Sequence, residues 1–559
     1  MSNLCETALG RALAAISLLA LLVACQNPGG SGSTAPLFEE QAARLGIDFR
    51  HQSGEDETRR MNSIMGAGVA LADIDADGDL DVLMVQSKSG SGSRLYQNLL
   101  IETGELGFSD ITARSGLLTQ CYGTGATAAD IENDGDVDIY ITCFGTNELW
   151  INAGNGQFDQ QAEARGLDVD GWTTAAAWLD VDGDHRLDLW LGNYLDYSEQ
   201  NHRECRGPGG VPDYCGPLSY DPTPNRLFRN AGNGFEDATA AWGLAAAAHA
   251  PALGAVVGDF DQDGQIDFYV ANDAWPNELW LNRGGRFEND ALIAGVAVNT
   301  DGKAEGSMGV DAGDHDGDGD DDLFMVHLAD EKATLYSQSG NGVFVDRSTS
   351  SGLGPLTRGS TGFGTAWIDA DMDSALDLLI VNGRVRLIRD GSDEDDPYAQ
   401  APLLLGNTGD GNFEDWSGRG GPGFQSSAMS RGAAFGDLDN DGDLDVIVNN
   451  IDAAPWVLIG QADPGTHWVG IELIEHGRTA HGARAGLVLD DGRTLWRRVR
   501  VGGSFASSND PRLQFALSAD ASPTRLIVDW SGGHRSEHAG EHLRPGDYVR
   551  ITRPGNPDS

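Results

Sequence analysis

One nine-residue pattern, with Asp at its first, third, fifth and ninth positions and usually Gly at its sixth, occurs seven times in this 559-residue chain. The copies read DIDADGDLD from Asp73, DIENDGDVD from Asp130, DVDGDHRLD from Asp180, DFDQDGQID from Asp259, DHDGDGDDD from Asp314, DADMDSALD from Asp369 and DLDNDGDLD from Asp437. Glu132 replaces the third-position Asp in the second copy, and His185 and Ser374 replace the Gly in the third and sixth. Such repetition means one supersecondary unit built many times, with the units burying their apolar faces against each other.

The chemistry of the pattern is hard-cation binding. Ca²⁺ takes six to eight oxygens, and alternate carboxylates on a tightly turned chain converge on one point. Gly allows the positive φ of such a turn. The expected ligands are Asp73, Asp75, Asp77, Asp79 and Asp81; Asp130, Glu132, Asp134, Asp136 and Asp138; Asp180, Asp182, Asp184, the Arg186 carbonyl and Asp188; Asp259, Asp261, Asp263, the Gln265 carbonyl and Asp267; Asp314, Asp316, Asp318, Asp320 and Asp322; Asp369, Asp371, Asp373, the Ala375 carbonyl and Asp377; and Asp437, Asp439, Asp441, Asp443 and Asp445. Up to seven structural Ca²⁺ ions are expected, with the third and sixth sites weaker for want of Gly. An EF-hand would need Glu at the twelfth position. Here that position is Met84, Ile141, Leu191, Val270, Met325, Ile380 or Val448, each in an apolar run that reads as a strand. The 37 Lys and Arg against 86 Asp and Glu give a net charge of −49, which argues against binding nucleic acid.

A second element recurs: a Gly-rich turn, Phe, polar residues and usually Gly-Leu. Its Phe residues are Phe38, Phe108, Phe158, Phe235, Phe287, Phe344 and Phe413. Between these markers the chain reads as strand A, acidic loop, strand B, strand C, then the Phe strand D, which is a four-stranded propeller blade. The first Phe precedes the first acidic loop, and no clear copy follows the last. The N-terminal D strand therefore completes the last blade. The expected fold is all-β: a seven-bladed propeller closed by strand exchange over 37–462, then a small all-β domain over 463–555 and a tail at 556–559.

These repeats resemble FG-GAP/VCBS repeats. The C-terminal segment resembles the ASPIC/UnbV domain in Gly482-Ala483-Arg484, Gly502-Gly503-Ser504-Phe505, Asp510-Pro511-Arg512-Leu513 and Trp530-Ser531-Gly532-Gly533. The combination is that of the cartilage acidic protein family and its bacterial relatives. The resemblance implies Ca²⁺ inside the A–B hairpins; it implies no particular activity.

Arg11 precedes a twelve-residue apolar run, Leu13 to Ala24, too short to span a bilayer but suited to a signal peptide over 1–24. The run ends in Leu22-Val23-Ala24-Cys25, which resembles the bacterial lipobox, so Cys25 is the expected lipidation site and 25–36 a flexible tether. An extracytoplasmic lipoprotein follows, at the outer membrane or cell surface, touching membrane through its lipid alone. Four further cysteines are expected to pair as Cys121–Cys143, across one hairpin, and Cys205–Cys215, around a Gly/Pro-rich loop.

Three insertions, at 48–63, 193–225 and 382–402, fall on D–A or B–C connections, opposite the acidic loops. Elaborated loops usually carry function. They hold His51, Arg59, Arg60, His202, Arg203, Arg206, Tyr214, Arg384 and Arg386, an expected surface for a protein or glycan partner, unless the cations simply pair with nearby acids. No nucleophile elbow, HExxH or phosphate-binding loop occurs. Binding is the leading reading. An extracytoplasmic enzyme with its site on the inserted face is the alternative, and a calcium-buffering surface protein is a third.

Overall fold

The computed structural model describes residues 35–388, 396–462 and 466–555. The signal segment, Cys25, nearly all of the tether and the 556–559 tail lie outside the described residues.

Seven four-stranded antiparallel sheets follow one another along the chain. Blade 1 runs Val69–Ala72, Asp81–Met84, Arg94–Asn98, Phe108–Asp110, and blade 2 runs Tyr122–Ala129, Asp138–Phe144, Glu148–Asn152, Phe158–Gln160. Every later blade repeats that plan, strand B opening on the ninth-position Asp of its acidic loop and strand D on its marker Phe. Alternation makes each D strand buried at Phe and exposed at the next residue, so the ring wedges between sheets. The innermost strands of successive blades contact one another, and that of blade 7 (Ser430–Gly436) contacts that of blade 1, which closes the ring.

Closure is by strand exchange. Phe38–Glu40 pairs antiparallel with Trp456–Gly460, setting Phe38 opposite Gly460 and Glu40 opposite Leu458. The pairing covers the open edge of blade 7, which would otherwise expose unsatisfied backbone groups.

The C-terminal domain packs two four-stranded sheets face to face. One is centred on His467–Glu475, flanked by Leu513–Leu517 and, in parallel, by Tyr548–Thr552; the other orders Thr494–Arg498, Arg484–Leu489, Pro523–Asp529 and Arg535–Ala539. Val469, Ile471 and Leu473 of the first meet Leu487, Leu526 and Val528 of the second in one buried core.

Between Arg498 and Leu513 this domain sends a loop down the propeller axis. Ser508 pairs its backbone with Val69 and Leu71 of blade 1, the Ala506 carbonyl accepts from Ala126 of blade 2, Gly503 N donates to Ala255 of blade 4, and Ser504 O accepts from Val310 of blade 5. Asp510 N donates to Phe435 of blade 7. Phe505 is fully buried, with its ring edge-on to Phe363 of blade 6 at 4.8 Å. Small residues in the plug let backbone meet backbone: a Cβ on Gly125 would lie 2.7 Å from the Ala506 carbonyl oxygen. Among the described residues the disulfides are Cys121–Cys143 and Cys205–Cys215, as the spacing suggested.

Phe38→Ala should destabilise the protein by about 3–5 kcal/mol, as for a core aromatic, because Phe38 is 2% exposed in blade 7. Equilibrium urea unfolding checks this against Phe413→Ala, the matching residue of blade 6. A cost below about 1 kcal/mol at Phe38 would mean that the N-terminal strand is not integral to the ring.

Candidate functional site

The acidic loops are all A–B connections and share one hydrogen-bond scheme. The ninth-position carboxylate bonds in two directions in every loop. One oxygen accepts from the second-position N–H (Ile74 to Asp81, 3.1 Å; Leu438 to Asp445, 2.8 Å), and the other from the last residue of strand C (Asn98 to Asp81 and Asn152 to Asp138, both 2.8 Å). The first-position carboxylate takes backbone N–H groups from further along the loop, as Asp73 does from Asp77 (3.1 Å) and Gly78 (3.0 Å). The sixth residue lies at φ of 102° in Gly78 and 94° in Gly442. His185 and Ser374 keep that left-handed backbone, at 69° and 83°, and the same loop hydrogen bonds.

Within this frame the side chains converge. Carboxylate oxygens of Asp73, Asp75 and Asp81, of Asp180, Asp182 and Asp188, and of Asp259, Asp261 and Asp263 lie within 4.8 Å of one another, as do ligand atoms of His315, Asp316 and Asp322. One buried oxygen each of Asp75, Asp371 and Asp439 at the third position, and of Asp79 and Asp443 at the seventh, has no hydrogen-bond partner among the described residues. A buried carboxylate oxygen without a partner is unfavourable, and a hard cation is the partner the donor set fits. Arginines also lie against third-position acids: Arg229 on Asp182 at 2.6 Å, Arg419 on the other oxygen of Asp371 at 3.2 Å, with Arg165 on Glu132 and Arg283 on Asp261. The side chain of Arg186 pairs with Asp184 of its own loop.

Burial, opposed in part by the backbone donors, pushes the carboxyls of Asp138, Asp267 and Asp377 from an ordinary 3.8 up to about 8. Burial and the neighbouring Asp322 and Asp321 raise Asp314 to about 7. Without a cation, the folded protein therefore holds protons that the unfolded chain releases.

The C-terminal domain sits on this loop face, and its contacts explain the sixth position. Gly442 lies under Trp468, where a Cβ would come within 2.0 Å of the indole, and Gly319 lies under Trp496. His185 stacks on His476 with ring centroids 3.7 Å apart, and Ser374 Oγ donates to the Ala516 carbonyl at 3.0 Å. The two departures from Gly thus both meet the docked domain. First-position carboxylates are engaged too. The Tyr548 hydroxyl donates to Asp437 at 2.7 Å, Arg512 donates to the Asp437 carbonyl at 2.7 Å, and Arg497 stands 3.9 Å from Asp369. Arg498 and Arg500 pair with Asp321 and Asp311.

On the opposite face the three insertions meet. Arg59 of the first lies over Tyr214 of the second at 5.6 Å and Tyr398 of the third at 5.9 Å, and Tyr398 donates to Asp213 at 2.8 Å. Several cations pair locally: Arg59 with Glu55 at 3.6 Å, Arg60 with Asp56 at 2.8 Å, Arg386 with Asp330 at 2.7 Å. His51 is buried against Ser87 at 2.9 Å, and burial lowers its pKa to about 4. His202 contacts the Tyr197 hydroxyl at 3.3 Å, and Arg384 donates to the Pro397 carbonyl at 2.8 Å. Arg203 and Arg206 are exposed, Arg203 over the Tyr220 ring at 5.2 Å and Arg206 on the Gly210 carbonyl at 2.7 Å.

Two sets of residues escaped the sequence reading. Arg431, fully buried in strand A of blade 7, donates to the carbonyls of Ile64, Gly383 and Arg384 and so ties the third insertion, and the residue that follows the first, to the ring. The strand-C asparagines tie blade to blade: Asn152 donates to Ile74 O of blade 1 at 2.7 Å, and Asn282 to Val181 O of blade 3 at 3.0 Å. The recurrent Asn closing NELWIN, NRLFRN and NELWLN was the available signal.

Repeated acidic loops on a ring of four-stranded blades, capped by a β domain, define an FG-GAP-type propeller. The FG-GAP-like repeat model matches residues 73–141, 130–191, 259–325, 314–380 and 397–448, and the ASPIC and UnbV model matches 474–557. The chain belongs to the FG-GAP-like repeat family and carries an ASPIC/UnbV domain. It is similar to mouse cartilage acidic protein 1, at 24% identity over 320 residues, covering 46% of this chain and 48% of that protein. The match thus spans about half the length of that relative. Solved structures similar to it include an Agrocybe aegerita lectin that recognises non-reducing terminal N-acetylglucosamine (17% identity, 68% of this chain and 88% of that one, TM-score 0.36). The BP39L lectin of Burkholderia pseudomallei is another (13% identity, 71% and 96%, TM-score 0.42).

The raised aspartates make a pH prediction. A carboxyl whose pKa rises on folding contributes stability at low pH that is lost as pH climbs through the folded value. In chelator, the melting temperature should therefore fall between pH 6 and pH 8.5, across the values of about 7 to 8. In excess Ca²⁺ the fall should shrink markedly. Parallel pH profiles with and without Ca²⁺ would contradict it.

Proposed function

We propose that this protein is an extracytoplasmic scaffold, anchored by lipid at Cys25, in which up to seven Ca²⁺ ions stabilise the propeller and the inserted-loop face binds a protein or glycan partner. The carrying observation is the placement of the C-terminal domain, which covers the loop face and fills the axis, leaving the inserted-loop face as the open one. That face is consolidated rather than loose: three insertions share one aromatic core containing Tyr197, Tyr214, Tyr220 and Tyr398. Aromatic and Arg side chains held rigidly suit partner recognition at small entropic cost. Converging carboxylates and partnerless buried oxygens support Ca²⁺ in the acidic loops. Bound there, Ca²⁺ would supply positive charge and coordination; the chain supplies the first-, third- and fifth-position carboxylates, with the ninth also latching the loop to strand C.

Saturating Ca²⁺ should raise the melting temperature relative to chelated protein by at least about 5 °C, since several native-only sites each contribute by mass action. Unchanged melts after verified metal removal would sink the calcium reading. For the partner face, Arg203→Ala with Arg206→Ala should reduce binding to intact cells or a glycan array at least about tenfold, the scale of losing hot-spot cations. The calcium-dependent melt should stay the same. Full binding by that double variant would place the contact elsewhere.

A further inference from the structure

A cavity of about 610 Å³ lies between the acidic-loop face of blades 1 and 2 and the C-terminal domain. That size is within the roughly 300–1,000 Å³ range of small-molecule sites. Leu71, Ala128, Val501 and Pro511 give it an apolar floor. Arg478 and His481 line its C-terminal wall, and both are buried.

The charge balance at Arg478 is incomplete. Its side chain is 2% exposed, and the carboxylate within ion-pair range is Glu475 at 3.9 Å. Glu475 is already engaged by Arg553 at 3.1 Å and by the Ser531 hydroxyl. Two guanidiniums thus share one buried carboxylate; Arg478 Nη1 donates to the Thr479 carbonyl at 2.9 Å, and its Nε has no hydrogen-bond acceptor among the described residues. Asp130 and Asp180 act on Arg478 only from beyond ion-pair range, and burial lowers its pKa. The His481 ring makes no hydrogen bond among the described residues. Burial beside Arg478 brings its pKa down to about 3, so it is neutral and offers one donor and one acceptor. A buried guanidinium lacking a full set of acceptors is unfavourable, and a bound carboxylate supplies them.

We propose that this interdomain cavity binds a small hydroxylated carboxylate of the sugar-acid class, with its carboxylate seated on Arg478. His481 then meets a ligand hydroxyl, and the apolar floor meets the C–H face of the ring. The exposed pair Arg550–Glu472, at 2.7 Å, stands at the rim. This site is on the side opposite the inserted loops, so it stands or falls apart from the partner face.

The test is isothermal titration calorimetry of the calcium-saturated protein with D-glucuronate and D-glucose, which differ at one carboxylate. Glucuronate should bind at least tenfold more tightly. Arg478→Gln should abolish that preference. Thr479→Phe fills the cavity without changing any charge, and should weaken glucuronate binding at least tenfold while thermal melts show the variant folded. Equal binding of the two sugars, no binding of glucuronate to the unaltered protein, or full glucuronate affinity in a folded Thr479→Phe variant would overturn the proposal.

Discussion

The ninth-position aspartate is the interaction on which the ring depends. In each blade its carboxylate accepts one backbone N–H from the acidic loop and one from the end of strand C, for example Ile74 and Asn98 on Asp81. It is buried in all blades, at 0–3% exposure. Two backbone hydrogen bonds to one buried carboxyl are strongly directional, and losing either would leave a buried N–H unpaired. They fix the loop against its own blade and orient the carboxylates that precede it. The strand-C asparagine then reaches the second-position carbonyl of the neighbouring loop, so the latch within a blade becomes a clasp between blades.

Placed this way, the loops serve two masters. Their carboxylates converge, and burial, with neighbouring acids adding to it, raises several pKa values and leaves oxygens unpartnered. In blades 3 to 7 the sixth residues point outward and receive the C-terminal domain. Tyr548, Arg512 and Arg497 contact or approach first-position aspartates, so docking and cation occupancy act on the same side chains. A domain whose loop also bonds to or packs on strands of blades 1, 2, 4, 5, 6 and 7 is not a detachable module. Phe505 at the plug tip belongs to the same apolar cluster as Met61, Tyr194 and Tyr398 of the inserted loops. The two faces of the ring are therefore mechanically joined through its centre.

Spacing and chemistry carried much of this in one dimension. Asp at alternating positions, the Phe that opens each D strand and the apolar run after each loop are local signals, because strand alternation and turn geometry are local physics. From them the seven blades, the N-terminal strand completing the last one and both disulfides could be read. The placement of three insertions on one face was also legible, since strand direction alternates within a blade.

What only the tertiary structure decided concerns residues whose meaning depends on a distant partner. His185 and Ser374 read as damage to a turn; against His476 and Ala516 they are contacts. For the cations of the insertions the sequence left a partner surface and local pairing both open; folded, Arg59, Arg60 and Arg386 are paired with acids, His51 is buried, and Arg203 and Arg206 stay exposed. Arg431 and Arg478 look like ordinary single arginines, yet one is fully buried on carbonyls and the other lines a cavity with half a partner. Local periodicity determines which residues form a blade. Burial and long-range pairing determine what a charged side chain costs and what it must find, and those appear only when the chain closes on itself.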